Sequence, residues 1–129
     1  MRIENYFRQV QKIIDSCSVV QTSTVMFDKR STYEGYIRGD IFFVDDSTLH
    51  FREFIDVETN DERLMYVYQY LSFSKEFIFR YDNTGHHRKL GLPSYPHHKH
   101  EGGESNVTQA PAMDLASVIE EIESMIQWP

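Results

Sequence analysis

The sequence has almost no cysteine and no long hydrophobic run, and both absences restrict what the protein can be. Cys17 is the single cysteine among 129 residues, so an intrachain disulfide and a Cys-x-x-Cys zinc site are both excluded. No apolar run approaches the ~20 residues that a transmembrane helix needs. The first residues also lack the apolar segment of a signal peptide. We therefore expect a cytoplasmic protein with no membrane partner.

Positive charge is also scarce. The chain contains 13 Lys and Arg residues and 20 Asp and Glu residues, which gives a net charge of -7. This negative charge argues against a protein that binds nucleic acid with its whole surface. The cations are unevenly distributed, however. The segment 77–100 contains four of them and one acid, Asp82. A basic segment of this kind on an acidic chain favours an anionic ligand bound at one place.

Hydrophobic periodicity predicts an α+β domain. Apolar residues recur at helical spacing from Ile3 to Cys17 and again from Leu115 to Ile126. Between them, alternating runs separated by short polar connections indicate antiparallel strands. We predict one domain over residues 1–129, with an antiparallel meander of about five strands and an N-terminal and a C-terminal helix packed on it. Residues 82–112 show no strong period and are predicted to form a long loop.

The predicted loop is rich in histidine. Five of the six histidines fall in the segment 77–100, namely His86, His87, His97, His98 and His100. Histidine titrates near neutral pH, so it can transfer a proton or bind a metal as the neutral ring. In an extended segment His98 and His100 would share one face. We predict that residues 97–100 fold back toward Arg80, on the sheet face opposite the helices or at the sheet edge.

These residue types suit metal-independent cleavage of RNA. That reaction needs a base, an acid and cations, and each proton-transfer role contributes about 10²–10⁴-fold. It requires no cofactor, and we predict none. The catalytic candidates are His97, His98, His100, His86, His87, Arg80, Asp82 and Glu53. The candidates for substrate binding are Lys99, Arg88, Tyr81, Tyr66 and Tyr68.

Other interpretations stay open at this point. Three histidines with Asp82 or Glu53 would also satisfy a divalent transition metal. A metal-dependent phosphoesterase or nucleotidyl-modifying enzyme, and a non-catalytic binding module of a regulatory complex, are both compatible with the residues. Glu53 shares a face with apolar residues of its predicted strand, so it is a functional carboxylate, the site of a bulge in the strand, or a structural partner of an arginine.

Several motifs together resemble a known family. Phe79-Arg80-Tyr81-Asp82-Asn83, His86-His87 and Pro96-His97-His98-Lys99-His100 are similar to motifs of the TumE toxins of prokaryotic toxin–antitoxin pairs. Leu49-His50-Phe51-Arg52-Glu53-Phe54 and Arg63-Leu64-Met65-Tyr66-Val67-Tyr68 resemble strand motifs of that family. The resemblance implies a small cytoplasmic type II toxin, neutralised by a cognate antitoxin that is typically a helix-turn-helix protein. The RNA substrate is inferred from the histidines, arginines and tyrosines and from the habits of small toxins. We also consider a homodimer.

Overall fold

A computed structural model describes residues 1–59, 62–85 and 90–127. Two helices and seven strands follow one another in it. They are α1 (Ile3–Asp15), β1 (Val20–Lys29), β2 (Glu34–Phe43), β3 (Thr48–Asp56), β4 (Glu62–Leu71), β5 (Phe77–Asp82), β6 (His98–Glu101), β7 (Val107–Gln109) and α2 (Leu115–Met125). The predicted α+β class is confirmed, with helices at both ends of the chain.

The seven described strands form one antiparallel sheet in which each strand pairs with the next in sequence, from β1 to β7. The predicted count of about five strands was too low. The two additional strands, β6 and β7, lie within residues 82–112, where a loop was predicted. They have four and three residues, so neither is long enough for an alternating pattern to stand out.

Both helices pack on the same face of the sheet. The hydroxyl of Tyr6 in α1 donates to Glu53 of β3, and the hydroxyl of Tyr81 in β5 donates to Glu121 of α2 at 2.6 Å. Asp114 begins α2 by accepting a hydrogen bond from the backbone N–H of Ser117 at 2.8 Å. Because side chains alternate along each strand, the residues between these positions point to a second face that the helices leave uncovered.

The two described helices contain 13 and 11 residues. Neither is long enough to cross a bilayer.

Gly39 of β2 lies directly beneath the buried ring of Phe51. A Cβ atom at Gly39 would be 2.3 Å from Cε1 of Phe51, and that ring in turn stacks on Tyr68 with centroids 6.4 Å apart. We expect Gly39→Ala to lower the free energy of unfolding by about 1–3 kcal/mol, because overpacking forces the core to shift. Urea denaturation measures this loss. Gly103→Ala is the control, since its Cβ meets nothing within 4 Å, and an equal loss in both variants would contradict the packing argument.

Candidate active site

Two rows of mostly polar side chains cross the uncovered face of the sheet. Strand register places residues of β2 to β6 side by side in each row, and neighbouring strands are about 4.8 Å apart. The first row is Arg38, Arg52, Val67, Asp82 and His98, and the second is Asp40, His50, Gln69, Arg80 and His100. Residues two apart on a strand share a face, so the two rows are neighbours.

At the β5–β6 end the rows form a buried cluster. Nε2 of His98 lies 2.8 Å from Oδ1 of Asp82 and 3.1 Å from Nε2 of His100. Nε of Arg80 donates to Oδ2 of Asp82 at 3.1 Å. The two histidines and the aspartate are each at most 2% exposed. The structure therefore brings four predicted site residues together, but at a depth that a polymer such as RNA does not reach.

Burial also affects the charge of this cluster. Desolvation lowers the pKa of His100, and the nearby Arg80 guanidinium lowers it further, although the hydrogen bond to the Glu104 carbonyl and the Asp82 charge act in the opposite direction. The neutral ring is therefore favoured at His100 relative to an exposed histidine.

His97 lies on the opposite side of the sheet from His98 and His100. Its ring stacks on Tyr66 with centroids 5.8 Å apart, and its Nδ1 is 2.8 Å from the Tyr66 hydroxyl. Burial lowers the pKa of His97, and the Arg63 charge adds to this effect. Because His97 contacts Tyr66 while His98 contacts His100 on the other face, the three predicted proton-transfer histidines do not converge on one substrate atom.

Glu53 is buried beneath helix α1. It accepts hydrogen bonds from the hydroxyls of Tyr6 and Tyr68, the latter at 2.7 Å, and it is 0% exposed. Desolvation raises the pKa of Glu53. Burial and the Glu53 carboxylate together hold the pKa of Tyr68 well above its ordinary value. With both oxygens bound inside the core, Glu53 and Tyr68 have the environment of structural residues.

The remaining substrate-binding candidates also face the helices. Nζ of Lys99 lies 3.3 Å from Oε2 of Glu121 and 5.0 Å from the centre of the Tyr81 ring. Burial and the hydrogen bond to Glu121 raise the pKa of Tyr81 to about 12. Through these contacts with Glu121, Lys99 and Tyr81 connect β6 and β5 to α2. The predicted site residues His86, His87 and Arg88 lie outside the described residues.

The sixth histidine, His50, forms a partly exposed pair with Asp40. Nδ1 of His50 lies 2.5 Å from Oδ1 of Asp40, and the two side chains are 44% and 42% exposed. A carboxylate that accepts from Nδ1–H fixes the tautomer in which Nε2 is the basic nitrogen. Sequence reasoning missed both residues as site candidates. The available signal was their place on the polar side of two alternating strands that are joined by a short turn.

Two arginines lie beside this pair. Arg38 and Arg52 are direct cross-strand neighbours, both are exposed, and neither forms an ion pair with any residue that the structure describes. Like charges directly opposite each other in a sheet repel. With Asp40 and His50 they line a cavity of about 220 Å³, which is completed by Gly39, Phe51, Val67 and Gln69. An anion bound here would offset the repulsion, and guanidinium groups match the geometry of phosphate.

Comparison with known proteins assigns the chain to a family. The family model described as "Toxin TumE" matches residues 10–126, a range that contains both polar rows. Searches of curated proteins and of solved structures found no match. Because the family model covers most of its length, the chain belongs to the TumE family of toxins.

Proposed function

We propose that the protein is the toxin of a type II toxin–antitoxin pair and that it cleaves RNA at the Asp40–His50 pair. One observation carries the proposal: a partly exposed histidine, oriented by a carboxylate, shares a cavity with two arginines that form no ion pair with any described residue. Family membership supports the toxin role. The cavity supplies the residue types that phosphodiester chemistry requires.

The reaction follows from the geometry of the cavity. Arg38 and Arg52 bind the non-bridging oxygens of a phosphodiester, where negative charge grows in the transition state. Nε2 of His50 takes the proton of the 2′-hydroxyl, and the 2′-oxygen attacks phosphorus. The bond from phosphorus to the 5′-oxygen breaks, which leaves a 2′,3′-cyclic phosphate. His50 is the single histidine among the described residues that line the cavity, so the 5′-oxygen receives its proton from water.

The partner in this proposal is a cognate antitoxin. A helix-turn-helix protein, as the family resemblance implies, would neutralise the toxin in the cytoplasm by covering the cavity between β2 and β4. The proposal needs no metal for the chemical step, because the nucleophile belongs to the RNA itself.

The test is the reaction of the purified full-length protein with single-stranded RNA. We expect cleavage that ends in a 2′,3′-cyclic phosphate, and no cleavage of the same strand with 2′-deoxyribose throughout. Equal cleavage of the deoxy strand would indicate a metal-dependent phosphoesterase and overturn the mechanism. Binding of RNA without any cleavage would instead support a non-catalytic module.

The arginine pair has a separate test. The Arg38→Gln/Arg52→Gln double variant should bind RNA more weakly, and the slope of log K against log[salt] should flatten by about 1.4 for two lost phosphate contacts on a single strand. The Arg8→Gln/Lys12→Gln double variant removes the same charge from exposed positions of α1. An equal flattening in both double variants would show that overall charge, and not the cavity, binds the RNA.

A further inference from the structure

The cluster of Asp82, His98 and His100 contains two histidines with the same hydrogen-bond pattern. Nδ1 of His98 lies 2.9 Å from the carbonyl oxygen of Pro96, and Nδ1 of His100 lies 2.7 Å from that of Glu104. A carbonyl oxygen only accepts hydrogen bonds, so both Nδ1 atoms carry a proton. In the neutral rings Nε2 therefore presents its lone pair.

These two lone pairs and the Asp82 carboxylate point toward one another. The two Nε2 atoms are 3.1 Å apart, and they lie 2.8 Å and 3.4 Å from the nearest oxygens of Asp82. In a tetrahedral zinc site with bonds of roughly 2.0–2.1 Å, neighbouring ligand atoms are about 3.3 Å apart. The separation of the two Nε2 atoms is within about 0.2 Å of that value, and the separations from Asp82, which end on a different carboxylate oxygen for each histidine, are within about 0.5 Å. A cation between the three groups would stabilise all three lone pairs at once.

The surroundings of the cluster also match those of metal ligands. Ligating histidines almost always donate their other ring N–H to a carbonyl or carboxylate, and ligating carboxylates are themselves hydrogen-bonded. Oδ1 of Asp82 accepts from the backbone N–H and the hydroxyl of Thr84 at 3.1 and 2.9 Å, and Oδ2 accepts from Arg80. The three groups are thus held in a fixed orientation by partners outside the cluster.

We propose that Asp82, His98 and His100 bind one divalent transition-metal ion, with Zn²⁺ as the representative case. The ion joins β5 to β6 and anchors the connection between them. None of its three ligands lines the Asp40–His50 cavity, so this proposal does not depend on RNA cleavage. Arg80 gives up its long contact of 3.4 Å with Nε2 of His100 and keeps those with Asp82, Gln69 and Glu104.

The experiment uses the full-length protein without a polyhistidine tag, after dialysis against a chelator. Titration with Zn²⁺, followed by calorimetry and by elemental analysis, should give one bound ion per chain and a higher Tm. His98→Gln and Asp82→Asn should each weaken binding by more than about 100-fold, since loss of even an outer-shell partner costs 10–100-fold. His97→Gln is the matched control, because His97 is adjacent in sequence and lies on the other face.

Retained Zn²⁺ binding in His98→Gln and Asp82→Asn would overturn the proposal, as would an absence of binding in the wild type. The latter result would mean that a proton, shared between His98 and Asp82, holds the cluster together. If the variants do not fold, Co²⁺ bound to the wild type decides the question. A tetrahedral visible spectrum without a thiolate charge-transfer band supports these ligands, and a thiolate band would indicate Cys17 instead.

Discussion

Replacement of His50 by glutamine is expected to lower kcat/KM for RNA cleavage by about 10²–10⁴-fold, the usual contribution of a general base. Glutamine retains much of the size and polarity of the imidazole but cannot accept the proton of the 2′-hydroxyl. The side chain is 44% exposed, so the fold should tolerate the change. Single-turnover cleavage of a defined RNA, with the wild type and the variant compared at equal folded concentration, measures the effect.

Two further variants sharpen this prediction. Asp40→Asn should lower kcat with little change in KM, because Asp40 orients His50 and does not contact RNA in the proposed mechanism. His97→Gln replaces the histidine that stacks on Tyr66 beneath the sheet. If His97→Gln abolished cleavage in a fully folded protein while His50→Gln did not, the base would belong to the segment 97–100, and the Asp40–His50 assignment would be wrong.

Replacement of Glu53 by alanine should destabilise the fold by about 2–6 kcal/mol, because each of two buried hydroxyls that loses its acceptor costs about 1–3 kcal/mol. The Tyr6 and Tyr68 hydroxyls, which both donate to Glu53, would lose their acceptor in a site that is 0% exposed. Glu53→Gln keeps an acceptor and the volume of the side chain, so its loss should be smaller. Guanidinium denaturation of the three proteins provides the comparison.

The pH dependence of stability separates the effect of the Glu53 charge from the effect of its packing. Burial raises the pKa of Glu53 above its ordinary value of 4.5, so the folded state binds the proton more tightly than the unfolded state. The stability that this group contributes is present below pH 4.5 and decreases as the pH rises through the raised pKa of the folded state. Glu53→Gln should lack this decrease. Parallel pH profiles of the wild type and Glu53→Gln would show that the carboxylate is not desolvated.

The elements that could be predicted are those with long, regular patterns. Both helices and the first five strands have ten or more residues or clear alternation, whereas β6 and β7 are too short to show either. Alternation was also sufficient to place His98 and His100 on one face and to mark Glu53 as an unusual residue among apolar neighbours. Its partner Tyr6 comes from a helix 47 residues earlier, and no local pattern indicates such a contact.

The candidate cavity was harder to find because it depends on strand register. Arg38 meets Arg52, and Asp40 meets His50, only in the pairing that the β2–β3 turn selects, and a slip of one residue would move each side chain to the other face. We predicted the catalytic site from histidines that are close in sequence. In the structure, however, His97 and His98 lie on opposite sides of the sheet. Proximity along the chain and proximity across strands are different quantities, and the cavity depends on the second.

The strictly sequential order of the sheet has a consequence for how the protein folds. Each described strand pairs with its neighbour in sequence, so the sheet can grow hairpin by hairpin with small loop-closure costs. A sheet whose strand pairings join neighbours in sequence folds faster than a sheet of similar size with distant pairings. We expect the meeting of the chain ends to be slower, because Cys17 contacts Glu123 across 106 positions. During synthesis, the Arg38–Arg52 cavity would therefore be complete before α2 emerges from the ribosome.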